Sequence, residues 1–201
     1  MPDVRLCVLV SGSGTILEAL IAADIEIALV AADRPCRGLD VARANGIDAL
    51  LVDRSTFGGF TPSFDRERFS ATLAQDLAAR RIDVIAMAGF GTVTTTHFHD
   101  VFPGRVLNTH PSLLPSFKGW HAVRQALASG EHQTGCTVHI ATVELDDGPI
   151  LAQVAVAILA SDDEETLHER IKGVERSLYP RIVRDVVHAL AEGREPSSLA
   201  P

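Results

Sequence analysis

The chain has 201 residues, 46% hydrophobic and 22% charged, the balance of an ordinary globular protein, and a chain of this length buries about 70% of its unfolded surface without staples. Eighteen Lys and Arg against 26 Asp and Glu leave a net charge of −8, which argues against a nucleic-acid binder that neutralises phosphates with a basic face. Cys7, Cys36 and Cys136 form neither a CxxC motif nor an even framework, so a reducing, cytoplasmic setting is expected rather than secretion.

The opening stretch Met1–Val10 holds an apolar run too short for a membrane span and lacks the flanks of a signal peptide. Short apolar runs then alternate with amphipathic segments, the pattern of helices packed on a mainly parallel sheet. Strands are expected at Arg5–Val10, Ile25–Ala32, Ala49–Asp53, Val84–Ala88, Val106–Asn108, Cys136–Thr142 and Ile150–Ala157. Helices are expected to begin near Thr15, Leu39, Asp65, Thr94, His121 and Asp162. Ser161-Asp-Asp-Glu164 reads as a capping box for the last of these, with Pro180 expected to kink or restart it. The runs before Ala88 are continuously apolar, as buried parallel strands are. The pair from Cys136 to Ala157 instead suggests an antiparallel unit around Asp146-Asp-Gly-Pro149. Ser55–Phe64, rich in Gly and Phe, is the longest irregular stretch and a candidate mobile loop. No repeat, low-complexity tract or dividing linker interrupts the chain. One α/β domain is expected, Rossmann-like in its first half, with its sheet flanked by helices and a frayed tail over 196–201.

The first strand runs into Ser11-Gly-Ser-Gly-Thr-Ile-Leu17. Glycines between a strand and a helix let backbone N–H groups converge on an anion at the helix N-terminus. Gly12-x-Gly14 lacks the third glycine of a dinucleotide fingerprint, and no Gly-Lys-Ser/Thr follows. A phosphate-bearing small molecule therefore fits better than NAD, although Asp33 stands where a ribose acceptor could lie. A plain tight turn is the competing reading.

Asn108 and His110 end an apolar run two residues apart, so on an extended segment both side chains point the same way, and Pro111 favours that backbone. An amide donor beside an imidazole can clamp an oxygen acquiring negative charge; a hydrogen-bonded histidine at a capped strand end is equally open. A carboxylate from Asp146-Asp-Gly-Pro149 that approached His110 would favour and orient its protonated form, whereas Asp-Gly-Pro alone is an ordinary turn.

Asn108-Thr-His-Pro-Ser-Leu-Leu-Pro115, Thr134-Gly-Cys-Thr-Val-His139 and Asp146-Asp-Gly-Pro-Ile-Leu-Ala-Gln153 together resemble the phosphoribosylglycinamide formyltransferase family of folate-dependent formyltransferases. With Ser11–Leu17 and Ala88-Gly-Phe90 the resemblance spans essentially the whole chain. It implies one formyltransferase domain over 1–201, with a phosphate-binding half at 1–100 and a catalytic and folate-binding half at 101–195. It implies Asn108, His110 and Asp146 as the catalytic trio. It also implies Gly14, Thr15 and Ile16 at the ribonucleotide phosphate, and Glu175 on the glycinamide substrate. On the folate side it implies the backbone of Gly91, Thr92, Val93 and Thr94, with Asn108 and a further contact from Arg66. Gly91-Thr-Val-Thr94 departs from the Met-Arg-aliphatic-Leu of most members, and Ile16 replaces a polar residue, commonly Asn.

The implied reaction passes a formyl group from the co-substrate 10-formyltetrahydrofolate to the amine of glycinamide ribonucleotide, in purine synthesis, without a metal. A different acceptor amine such as an amino sugar, a formyltetrahydrofolate hydrolase, and a noncatalytic folate- or nucleotide-binding module are the alternatives. The implied partners are small molecules, with no nucleic acid and no membrane, and a homodimer stays open. His97-Phe-His99-Asp100 lacks the further ligands of a metal site. Cys36 reads as a surface-loop thiol, and Trp120 as packing for the next helix. His139 is balanced between core and a supporting role beside His110.

Overall fold

The computed structural model describes residues 4–201. Strands β1 (Leu6–Val10), β2 (Leu29–Ala32), β3 (Ala49–Leu51), β4 (Val84–Met87), β5 (Val106–His110), β6 (Gln133–Ile140) and β7 (Ile150–Ala157) alternate with helices for most of the chain. The helices are α1 (Thr15–Ala22), α2 (Arg37–Ala44), α3 (Arg66–Ala79), α4 (Thr96–Val101), α5 (Ala122–Ser129) and α6 (Glu164–Ala191). The strands form one sheet in the order β3-β2-β1-β4-β5-β6-β7. Pairing is parallel from β3 to β5 and antiparallel for β5·β6 and β6·β7.

β1, β2 and β4 are buried at every position, because helices cover both faces of the sheet. Leu6, Val8 and Val10 pack with α1, α2 and α6, while Cys7 and Leu9 face Phe69, Leu73, Leu77 and Phe98 of α3 and α4. From β1 the chain winds outward through β2 and β3, then returns to the other side of β1 as β4. That reversal opens a crevice at the carboxyl ends of β1 and β4, the general ligand position in open α/β sheets.

Several expected boundaries move. β2 starts at Leu29 rather than Ile25, and β5 runs on to His110 because β6 pairs with it that far. The cap of α6 is Asp163, which accepts from the Thr166 N–H while Thr166 Oγ1 accepts from the Asp163 N–H. Ser161 and Glu164 do not form the box, and Asp162 is occupied by Arg170 and the Leu159 N–H. Helix α6 continues through Pro180 without restarting; Pro180 is buried, and beside it the Tyr179 hydroxyl donates to the Leu107 carbonyl at 3.1 Å.

The tail does not fray. Pro196–Leu199 forms a 3-10 turn with Pro196 buried and Leu199 against the core. The Ser55–Phe64 stretch is likewise built: Asp53 caps a 3-10 turn at Arg54–Phe57, and the Arg54 guanidinium stacks on Phe60 and Phe64, each 4.0 Å from the ring centre.

Candidate active site

One cleft of about 440 Å³ crosses the crevice. Its lining includes Gly12–Ile16 after β1, Thr92–Thr94 after β4, Asn108–His110 of β5 with Pro111 after it, and Asp146 between β6 and β7. At one end Gly14 has φ 75°, a conformation L side chains avoid, and a Cβ there would lie 2.9 Å from the Gly38 Cα. The loop thus needs glycine both to turn and to let α2 approach. Helix α1 begins at Thr15 with no side-chain cap, so its first N–H groups remain available for an anion. His168, Lys172 and Glu175, from successive turns of α6, line the same cleft. Lys172 and His168 had not been singled out from sequence, although their helical spacing from Glu175 was the available signal.

Burial pushes the Glu175 carboxyl up to about 7, against the opposing pull of a hydrogen bond from Thr109 and the charges of Lys172 and Arg176. Thr109 Oγ1 also lies 3.4 Å from the buried Cys136 thiol, which burial raises to about 12.

Asn108, His110 and Asp146 come together in the middle of the cleft. His110 is 6% exposed and Asp146 7%. His110 Nδ1 lies 3.4 Å from Asp146 Oδ2, and Nε2 lies 2.8 Å from the Phe117 carbonyl oxygen. A carbonyl only accepts, so Nε2 carries a proton. An imidazolium would direct its other N–H at Asp146. The same Asp146 oxygen accepts the Gly119 N–H at 2.8 Å.

His139 sits opposite Asn108 in the β5·β6 ladder. The Asn108 amide donates to His139 Nε2 at 3.2 Å, and His139 Nδ1 donates to the Ile140 carbonyl at 3.2 Å. Burial holds this imidazole below its ordinary range despite Asp146 nearby. The network therefore assigns a neutral ring protonated at Nδ1, an acceptor that orients Asn108.

The loop carrying Asp146 depends on Gly148, where any Cβ would fall 1.8 Å from the Ile140 carbonyl oxygen.

The other expected residues divide. Thr92, Val93 and Thr94 line the cleft, but Gly91 is not among the lining residues, and its N–H donates to Ser11 Oγ at 2.6 Å. The Thr92 hydroxyl donates to Asp33 Oδ2 at 2.7 Å and accepts from Arg54 at 3.0 Å, while Thr94 Oγ1 meets His99 Nε2 at 3.0 Å. Arg66 stands exposed at the start of α3 and does not line the cleft.

Asp33 cannot serve as a ribose acceptor. It is fully buried and accepts two hydrogen bonds from Arg34, both at 3.0 Å. Burial by itself would raise its carboxyl, and bonds from Arg34, Thr92 and Ser11 outweigh that to hold it below the usual range. Trp120 is 67% exposed and lines the cleft instead of packing the next helix. Cys36 is half-buried just before α2. Among the described residues no three His, Cys, Asp or Glu side chains gather as a metal site, and His97 and His99 sit on the short helix α4.

The sequence pattern described as formyl transferase matches residues 4–183. The chain belongs to the formyl transferase family. Phosphoribosylglycinamide formyltransferase of Mycobacterium tuberculosis is 41% identical to this formyl transferase over 179 residues, 87% of this chain and 80% of that protein. A trifunctional purine biosynthetic protein of Drosophila melanogaster is 38% identical over 196 residues, which are 93% of this chain but 14% of that much longer protein. The crystal structure of glycinamide ribonucleotide transformylase 1 from Symbiobacterium toebii superposes with a TM-score of 0.83 at 39% identity, covering 95% of the formyl transferase chain and 89% of its own.

Proposed function

We propose that this formyl transferase moves the formyl group of 10-formyltetrahydrofolate onto the amine of glycinamide ribonucleotide, in de novo purine synthesis. The observation that carries the reading is the buried meeting of Asn108, His110 and Asp146 midway along a cleft. The same cleft takes in an anion-ready helix N-terminus and Lys172.

In this reading the ribonucleotide phosphate lies on the backbone of Gly14, Thr15 and Ile16. Ile16 contributes only its N–H, and Lys172 adds a point charge. The glycinamide portion passes Glu175. The folate enters from the Thr92–Thr94 side, where Val93, Trp120, Val143 and Leu145 offer apolar surface to a flat ring system. Gly91 supports that segment from behind. Arg66, exposed on α3, meets the folate only where the co-substrate reaches beyond the cleft.

The substrate amine is itself the nucleophile. Its nitrogen attacks the formyl carbon, giving a tetrahedral centre with an oxyanion; collapse breaks the bond from that carbon to the folate nitrogen. The Asn108 amide, held by His139, donates its second N–H to the oxyanion, and a doubly protonated His110, its two N–H groups held by the Phe117 carbonyl and Asp146, stabilises it by its charge. The proton lost by the amine passes, through a water held by Asp146, to the departing folate nitrogen. No serine or cysteine nucleophile is needed, in keeping with the buried, high-pKa Cys7 and Cys136 thiols. The three free thiols also suit a reducing cell interior.

The deciding experiment incubates the chain with 10-formyltetrahydrofolate, with and without glycinamide ribonucleotide, and follows release of tetrahydrofolate. Release that requires the ribonucleotide supports the proposal. Release without an acceptor indicates a hydrolase, and no release a binding module.

A further inference from the structure

Two loops meet over His110 and Asp146. Residues 115–121 lead into α5, and residues 141–149 join β6 to β7. The first loop is tied at its start. The Leu114 N–H donates to Thr137 Oγ1 at 3.1 Å, and Gln153 Nε2 donates to the Leu114 carbonyl at 2.9 Å. At its end Ala122 is buried in the core. Between those anchors the Phe117 carbonyl accepts a hydrogen bond from His110 Nε2 and the Gly119 N–H donates to Asp146. The backbone is in the left-handed region at Phe117 (φ 57°), Gly119 (φ 87°) and Asp146 (φ 54°). For residues with a β-carbon that conformation persists only where surrounding contacts enforce it.

One such contact is charged. Lys118, between the two backbone groups that hold the catalytic pair, makes an ion pair with Asp147, the neighbour of Asp146. Among the described residues it is the only ion pair joining the two loops.

We propose that Lys118 is a positioning residue for the transfer reaction: its pairing with Asp147 clamps the first loop onto the second, so that Phe117 and Gly119 hold His110 and Asp146 in register. The proposal rests on the reading that this pair performs the chemistry. Neither Lys118 nor Asp147 lines the cleft, so neither touches a ligand, and on the ribonucleotide side the clamp acts on turnover and not on binding. Both side chains are partly exposed, and salt weakens the pairing.

The test compares Lys118→Met, Asp147→Asn and the charge swap Lys118→Asp with Asp147→Lys. Each single variant lowers kcat three- to tenfold with the ribonucleotide KM within twofold, and the swap returns kcat to within twofold of the parent. Added sodium chloride lowers kcat of the parent and leaves the single variants flat. A second measurement needs no turnover. The ring 15N chemical shifts of His110 in the ligand-free chain move in both single variants and return in the swap. Should the parent transfer no formyl group while these shifts behave as described, the proposed function fails and the clamp stands. A kcat within 1.5-fold of the parent in the single variants, or a swap as slow as they are, overturns the clamp.

Discussion

His110 Nδ1 and Asp146 Oδ2 stand 3.4 Å apart although one ends a strand and the other sits in a loop beyond the next strand. The β5·β6 ladder brings them together by turning the chain back antiparallel. Loss of either group should lower turnover by roughly 10²–10⁴, the usual size of one acid–base or oxyanion-stabilising function. Asp146→Asn and His110→Ala should each show that loss with little change in the dissociation constants. The double variant should be scarcely slower, since groups acting as a unit are not additive. Single-turnover rates at saturating ligands check this. Losses that multiply would show the two acting independently.

In the proposed function Gly14 touches the ribonucleotide phosphate and not the folate. Valine there meets both a φ of 75° and the Gly38 Cα at 2.9 Å. Gly14→Val should destabilise the fold by roughly 1–3 kcal/mol and weaken ribonucleotide binding at least tenfold. Folate affinity should stay within about twofold. Calorimetric titration of each ligand decides, and equal losses for both would remove Gly14 from the phosphate site.

The Thr92 hydroxyl is held between Asp33 and Arg54. Thr92→Ala leaves the buried Asp33 and the Arg54 guanidinium each one hydrogen bond short, a cost of about 1–3 kcal/mol. The urea midpoint should fall accordingly while the folate KM changes less than threefold. An unchanged midpoint with a tenfold higher KM would mean that the hydroxyl faces the ligand.

Glu175 makes the ligand-free chain pH-sensitive. Its folded value of about 7 lies above the ordinary 4.5, so between those values the folded chain holds a proton that the unfolded chain has released. The associated stability is present in full below about 4.5 and is lost as pH rises to about 7. Melting temperature should fall across that window, and the fall should flatten in Glu175→Gln. Parallel curves for the two proteins would place the proton elsewhere.

The local order of this chain was legible in its residues. Apolar runs at β1, β2 and β4 marked buried parallel strands because their side chains alone decide burial. Gly14 marked the turn after β1 because few other residues tolerate its φ of 75°. Asn108-Thr-His110 marked one wall of the cleft because strand alternation puts both side chains on one side. These are short-range consequences of sterics and periodicity, and they extend as far as the family motif.

Longer-range facts were decided by packing. No spacing rule says that His139 stands across from Asn108, because strand register is set by which faces find a core. Asp33, which by sequence stands where a ribose acceptor could lie, is consumed by Arg34 and Thr92 because a buried carboxylate must find donors. The tail folds back because Pro196 and Leu199 find apolar surface on the core, and α6 passes Pro180 because burial there outweighs the lost backbone bond. Sequence alone determined which chemical groups this protein owns and the elements that carry them. Tertiary structure decided which groups remain free to meet a ligand, because a polar atom's availability depends on every neighbour the fold brings to it.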